Sequence, residues 1–108
     1  MSNLKNVFIG TAAATLMMVS GQAQAEWPSK PIEFIIPFGA GGGADIEGRL
    51  IAKAMSKELG QPVVPINKPG GGGAITYTYV KNSKPDGHTL AWNSTSILTT
   101  TNIGNVPF

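Results

Sequence analysis

Four glycines fall among the five residues Gly39 to Gly43 (GAGGG), between a run of β-branched and aromatic residues and a stretch of helical spacing. A turn this bare joins a strand to a helix and brings backbone N–H groups to the helix N-terminus with no side chain over them. Before it, Ile32–Phe38 (IEFIIPF) reads as a buried strand, entered from Trp27-Pro28-Ser29-Lys30-Pro31, which its prolines keep extended. After it, Ile46, Leu50 and Ala54 recur four apart with Ile51, Met55 and Leu59 beside them. That spacing predicts a helix over Asp45–Leu59 with this stripe facing the core. Asp45 stands where an N-cap is expected, and Gly60 and Pro62 where the helix must stop. Gly48 inside it costs about 1 kcal/mol relative to alanine.

The same alternation continues. Val63–Ile66 (VVPI) reads as a second strand limited by Pro65, and Asn67–Gly73 (NKPGGGG) as a second glycine loop. Ala74–Asn82 (AITYTYVKN) favours strand by its residue types and helix by its place in the order; the order predicts helix. Lys84-Pro85-Asp86-Gly87 is a turn, Thr89–Asn93 (TLAWN) a third strand, and Ser94–Asn102 the start of a loop or helix. Strand, helix, strand, helix, strand with short connections predicts an α/β fold, a parallel sheet with flanking helices. Right-handed crossovers then set both glycine loops and Asn93–Ser96 at one edge, beyond the carboxyl ends of the strands, where open α/β sheets bind ligands. Three strands are few for a closed sheet, so further chain is expected.

Residues 1–25 read as an export signal, with Lys5 in the n-region, Val7–Val19 as the apolar region, and Ala23-Gln24-Ala25 as a cleavage site. Cleavage after Ala25 leaves 83 of the 108 residues, with seven basic and six acidic side chains. So even a balance offers no patch for nucleic acid. No cysteine occurs, which excludes a disulfide framework and a thiolate metal site.

Gly39-Ala40-Gly41-Gly42-Gly43-Ala44 fits the G-x-G-x-x-A dinucleotide pattern, but the acidic residue that pattern needs after the next strand is replaced by Asn67 and Lys68. Neither loop continues into Gly-Lys-Ser or Gly-Lys-Thr, so a P-loop is absent. Catalytic constellations are scarce: His88, the one histidine, reads as solvated or core, and Ser94 and Ser96 lack an elbow context. Trp27, Tyr77, Tyr79 and Trp92 read as packing. What remains is a bare helix N-terminus that suits an anion, phosphate or carboxylate. Asp45 fits two roles there, a cap paired with Arg49 or a direct ligand contact.

Three segments in order carry a resemblance: "WPSKPIEFIIPFGAGGGADIEGRLIAKAMSKELGQPVV", "NKPGGGGAI" and "KPDGHTL". Together they resemble the extracytoplasmic solute receptors of the tripartite tricarboxylate transporters, the Bug receptors. The resemblance implies that residues 26–108 are the N-terminal part of the first lobe of a two-lobed periplasmic binding protein of the Venus flytrap kind, with the second lobe absent. Such a receptor is a non-enzymatic monomer without cofactor or metal, binding a small tri- or dicarboxylate and delivering it to membrane permease subunits. Carried onto this chain, Phe38, Gly39, Ala40, Gly41, Gly42, Gly43, Ala44 and Asp45 would grip a carboxylate through backbone amides and water. Asn93, Ser94, Thr95 and Ser96 would add side-chain contacts. The chain departs from the family at Ala44, where a hydroxyl residue is frequent, at Thr76 in place of glycine, and at His88 in place of tyrosine. The competing expectations are an exported α/β enzyme acting on a small anionic metabolite and a truncated product without function.

Overall fold

The computed structural model describes residues 26–108; the expected export signal lies outside the described residues. Strand β1 (Ile32–Ile36) is followed by helix α1 (Gly43–Leu59), strand β2 (Val63–Asn67), a single 3₁₀ turn (Gly71–Gly73), helix α2 (Ala74–Asn82), strand β3 (Thr89–Ala91) and helix α3 (Ser96–Asn102). The strands form one parallel sheet in the order β2-β1-β3. Ile32 pairs with Val63 and Ile36 with Asn67 on one side of β1, and Glu33 pairs with Thr89 on the other.

A central strand covered on both faces is expected to be apolar, and IEFII is so at every position but Glu33. Ile32, Phe34 and Ile36 lie on one face, in a core with Ala52 of α1 and Val63, against which Ala44, Met55, Leu59, Leu90 and Trp92 pack. Glu33 and Ile35 alternate to the other face, where Tyr79 of α2 donates its hydroxyl proton to Glu33 Oε2 at 2.8 Å. The result is a sheet between two helical layers. Pro65 is tolerated because β2 is an edge strand. Lys68 N–H donates to Ile36 O at 2.9 Å, so alternate residues of β2 face β1 and position 65 faces outward.

Two expectations about α1 are corrected. The helix begins at Gly43 with Gly42 as N-cap, so Asp45 sits in the first turn and is not the cap. The buried side runs through Asp45, Gly48 and Ala52, while Ile46, Leu50 and Ile51 are exposed. Small residues won the core face because the helix lies close on the sheet: a Cβ at Gly48 would stand 2.8 Å from Trp92 Cδ1 and 3.0 Å from Ile36 Cδ1. The glycine that propensity marks as a cost is the point of closest approach.

Helix α2 forms despite its β-branched residues because its side chains are spent on tertiary bonds. Thr76 donates from Oγ1 to Lys68 O at 2.8 Å, and Thr76 and Tyr77 are both buried. The amino end of the sheet is held by the segment before β1. Trp27 Nε1–H donates to Gly87 O at 3.1 Å, Ser29 N–H to His88 Nε2 at 3.2 Å, and Lys30 pairs with Asp86 at 3.3 Å. His88, read as solvated or core, is a buried acceptor in this tie.

Candidate ligand-binding edge

All three strands run the same way, so the segments that follow them share one edge. The chain leaves β1 for β2 on one side and returns to β3 on the other, which makes the carboxyl end of β1 a topological switch point. Phe38 is half-buried, Gly39 through Gly43 are exposed, Ala44 is half-buried and Asp45 is buried. Gly41 has φ +88°, a left-handed conformation that lets the loop double back toward α1.

That turn delivers the Gly41 N–H to Asp45 Oδ2 at 3.0 Å. Asp45 Oδ1 accepts from Arg49 Nε at 2.8 Å and from Asn67 Nδ2 at 2.9 Å. The same Asn67 amide donates to Phe38 O at 2.9 Å, and its Oδ1 accepts from Arg49 Nη2 at 2.8 Å. Loop, helix and β2 are therefore tied at one knot. The Gly41 N–H chiefly, then Asn67, and then Arg49 hold the Asp45 carboxyl below its ordinary value of 3.8, against the opposing effect of its burial. Of the two roles open to Asp45, the geometry is that of a latch whose oxygens already have partners, with Arg49 beside it.

The knot decides which amides are left for a ligand. Gly41 N–H is committed to Asp45, and Ile46 N–H to Gly42 O at 3.0 Å. Among the described residues, the N–H groups of Gly39, Ala40, Gly42, Gly43 and Ala44 have no bonded acceptor. They form an open shelf at a helix N-terminus, with the partial positive charge such ends carry.

The segment after β3 is brought beside this shelf by Trp92. Its backbone N–H donates to Ile35 O at 2.8 Å and its indole N–H to Ala44 O at 2.7 Å. Asn93, Ser94 and Thr95 follow it, exposed, and Ser96 is half-buried. Ser94 Oγ and Ser96 Oγ lie 2.8 Å apart, and Tyr77 OH lies 2.8 Å from Ser96 Oγ. Sequence reasoning missed the parts played by Asn67, Trp92 and Tyr77. Asn67 carried a usable signal, a polar residue ending a strand opposite a glycine loop. The two aromatics read as packing because their polar tips have no periodicity to betray them.

Among the described residues no helix is long and apolar enough to cross a membrane. Residues 48–108 match the model of the tripartite tricarboxylate transporter family receptor. The UPF0065 protein of the gbd 5' region of Cupriavidus necator is 46% identical over 82 residues, 75% of this chain and 25% of its own length. The crystal structure of a TctC solute binding protein from Polaromonas is 43% identical with a TM-score of 0.73, over 77% of this chain and 29% of that one. An R. palustris protein solved with adipate is 35% identical with a TM-score of 0.64, over 67% of this chain and 24% of that one. MatC from Rhodopseudomonas palustris, solved with bound malate, is 42% identical with a TM-score of 0.58, over 60% of this chain and 22% of that one. The chain spans about a quarter of the length of the curated relatives it matches.

Proposed function

The chain belongs to the tripartite tricarboxylate transporter receptor family, and we propose that it forms the opening part of the first lobe of a periplasmic receptor for a small di- or tricarboxylate. The observation that carries the reading is the shelf of five unbonded amides at the carboxyl edge of the sheet. Backbone N–H groups at a helix N-terminus favour negative charge and supply several donors to one carboxylate. Adipate and malate, bound by two structural neighbours, have that chemistry.

In this reading Gly39, Ala40, Gly42, Gly43 and Ala44 meet one carboxylate of the ligand, with the Gly41–Asp45 bond holding the loop open between them. Phe38 anchors the start of the loop, its carbonyl accepting from the Asn67 amide. Asn93, Ser94, Thr95 and Ser96 contact the ligand from the β3 side. A second lobe closes on the far end of the ligand, since contacts to both lobes stabilise the closed state. The receptor then hands its ligand to the permease subunits of the transporter, acting as a monomer and without catalysis. Residues 1–25 direct export and are removed after Ala25.

Isothermal calorimetry of residues 26–108 with malate, adipate, citrate and inorganic phosphate tests the binding step. One lobe is expected to bind a carboxylate with a Kd of roughly a millimolar, and phosphate more weakly. Heat from phosphate alone, or from none of the four, would overturn the assignment of the shelf to a carboxylate.

A further inference from the structure

Tyr77 is 4% exposed, and among the described residues its hydroxyl has one polar partner, Ser96 Oγ at 2.8 Å. A buried hydroxyl that only accepts leaves its proton unpaired, so the Tyr77 O–H donates and Ser96 Oγ accepts. Ser96 Oγ then has its own proton to place, and its other partner is Ser94 Oγ at 2.8 Å. Ser94 Oγ also faces the Ser96 N–H at 3.3 Å. Acceptance from Tyr77 polarises the Ser96 hydroxyl and favours the arrangement in which it donates to Ser94 Oγ, which then accepts twice and directs its own proton away from the protein. The polarity of the chain of hydroxyls runs from the interior outward.

The placement of Tyr77 depends on Gly73, whose φ is +102°. A Cβ there would stand 2.6 Å from Tyr77 Cε2 and 3.1 Å from its hydroxyl. The second glycine loop thus makes room for the ring that starts the chain of donors. Thr100 is tied by its Oγ1 to Ser96 O at 3.0 Å, which fixes the backbone around the middle hydroxyl.

We infer that Tyr77 is a positioning residue of the ligand edge: acting through Ser96, it makes the exposed Ser94 hydroxyl an outward donor suited to an acceptor-only group such as a carboxylate oxygen. The inference rests on the receptor reading above and adds to it a buried residue on a different helix. Without the Tyr77 proton that polarisation is lost, the Ser94 hydroxyl turns back to donate to Ser96 Oγ for part of the time, and the outward donor is lost with it.

Two measurements on residues 26–108 test it. In malate titrations, Tyr77→Phe is expected to raise the Kd about three- to tenfold, the scale of one hydrogen bond. Ser94→Ala is expected to do the same, and the double variant to be no weaker than Ser94→Ala alone. An unchanged Kd for Tyr77→Phe, or additive losses in the double variant, would overturn the inference. Independently of any ligand, proton NMR of the wild type is expected to show a slowly exchanging Tyr77 hydroxyl with a cross-peak to the Ser96 β-protons. Its absence would remove the chain of donors itself. If the hydroxyl is seen but malate does not bind the wild type, the receptor reading fails, and with it the ligand assigned to Ser94.

Discussion

Gly48 shows how far a single position can depart from its intrinsic preference. In an isolated helix alanine there would be better by about 1 kcal/mol. Here the added methyl meets Trp92 Cδ1 and Ile36 Cδ1 at 2.8 and 3.0 Å, and the indole cannot yield without breaking its bond to Ala44 O. Forcing extra volume into a packed site costs about 1–3 kcal/mol, which outweighs the gain in propensity. Gly48→Ala is therefore expected to lower the unfolding free energy by about 1 kcal/mol net, read from urea titrations followed by tryptophan fluorescence. Asn67 is the residue-scale counterpart at the carboxyl edge of the sheet. Asn67→Asp removes both N–H donors and sets a second carboxylate against Asp45, while Arg49 still pairs with it. Loss of the bonds to Phe38 O and Asp45 is expected to cost about 1–3 kcal/mol, and to speed amide exchange at Gly41.

At the scale of elements, the existence and order of strands and helices were legible and the faces were not. Alternation of strand and helix was readable because apolar runs, glycine loops and the Pro-Asp-Gly turn punctuate the chain every few residues. The α2 segment could be assigned only from that order, since its Ile, Thr, Tyr and Val favour strand. Its helix is secured by Thr76 on Lys68 O, eight residues away, and by Tyr79 on Glu33, 46 residues away. Of the α1 stripe, Met55 and Leu59 pack on the core while Ile46, Leu50 and Ile51 do not, for a physical reason: periodicity finds the largest apolar residues, whereas the turns of a helix lying closest on a sheet bury its smallest. Leu50 is 65% exposed and Ala52 is 1% exposed. Substitution therefore discriminates the two faces. Leu50→Glu is expected to change stability by less than about 0.5 kcal/mol, as surface changes do. Ala52→Leu is expected to cost about 1–3 kcal/mol through overpacking against the Ile32, Phe34 and Ile36 face. Thermal unfolding of the two variants side by side checks both.

Across the whole molecule, the gathering of both glycine loops and Asn93–Ser96 at one edge was legible from topology alone, because parallel strands must present their following loops together. Which amides remain unbonded was not, because it depends on Arg49 and Asp45 of α1 meeting Asn67 of β2, 18 and 22 residues away. The sheet is fastened at both ends by a carboxylate, Asp45 at the carboxyl edge and Asp86 at the amino edge. Asp86 accepts from the His88 N–H at 3.0 Å and pairs with Lys30 at 3.3 Å. The His88 N–H chiefly, and Lys30 after it, hold the Asp86 carboxyl below 3.8 against the opposing effect of burial, as the Gly41 N–H and its neighbours hold Asp45. With the folded values below the unfolded one, the unfolded chain takes up these protons first as the pH falls. Their contribution is whole above about pH 5, declines through about pH 4, and is gone once the pH has passed below the folded values. Tyr79 acts at the other limit. Its bond to Glu33 raises it above 10.0, so its contribution is present below that pH and is lost as the pH rises through the folded value. Thermal melts between about pH 3 and pH 8 are expected to show a plateau falling on the acid side. Asp45→Asn and Asp86→Asn, combined, are expected to lower the melting temperature at neutral pH and to flatten the acid limb. Each variant replaces a charged acceptor that titrates by a neutral one that does not. An acid limb as steep in the double variant as in the wild type would show that neither end of the sheet is held by its aspartate.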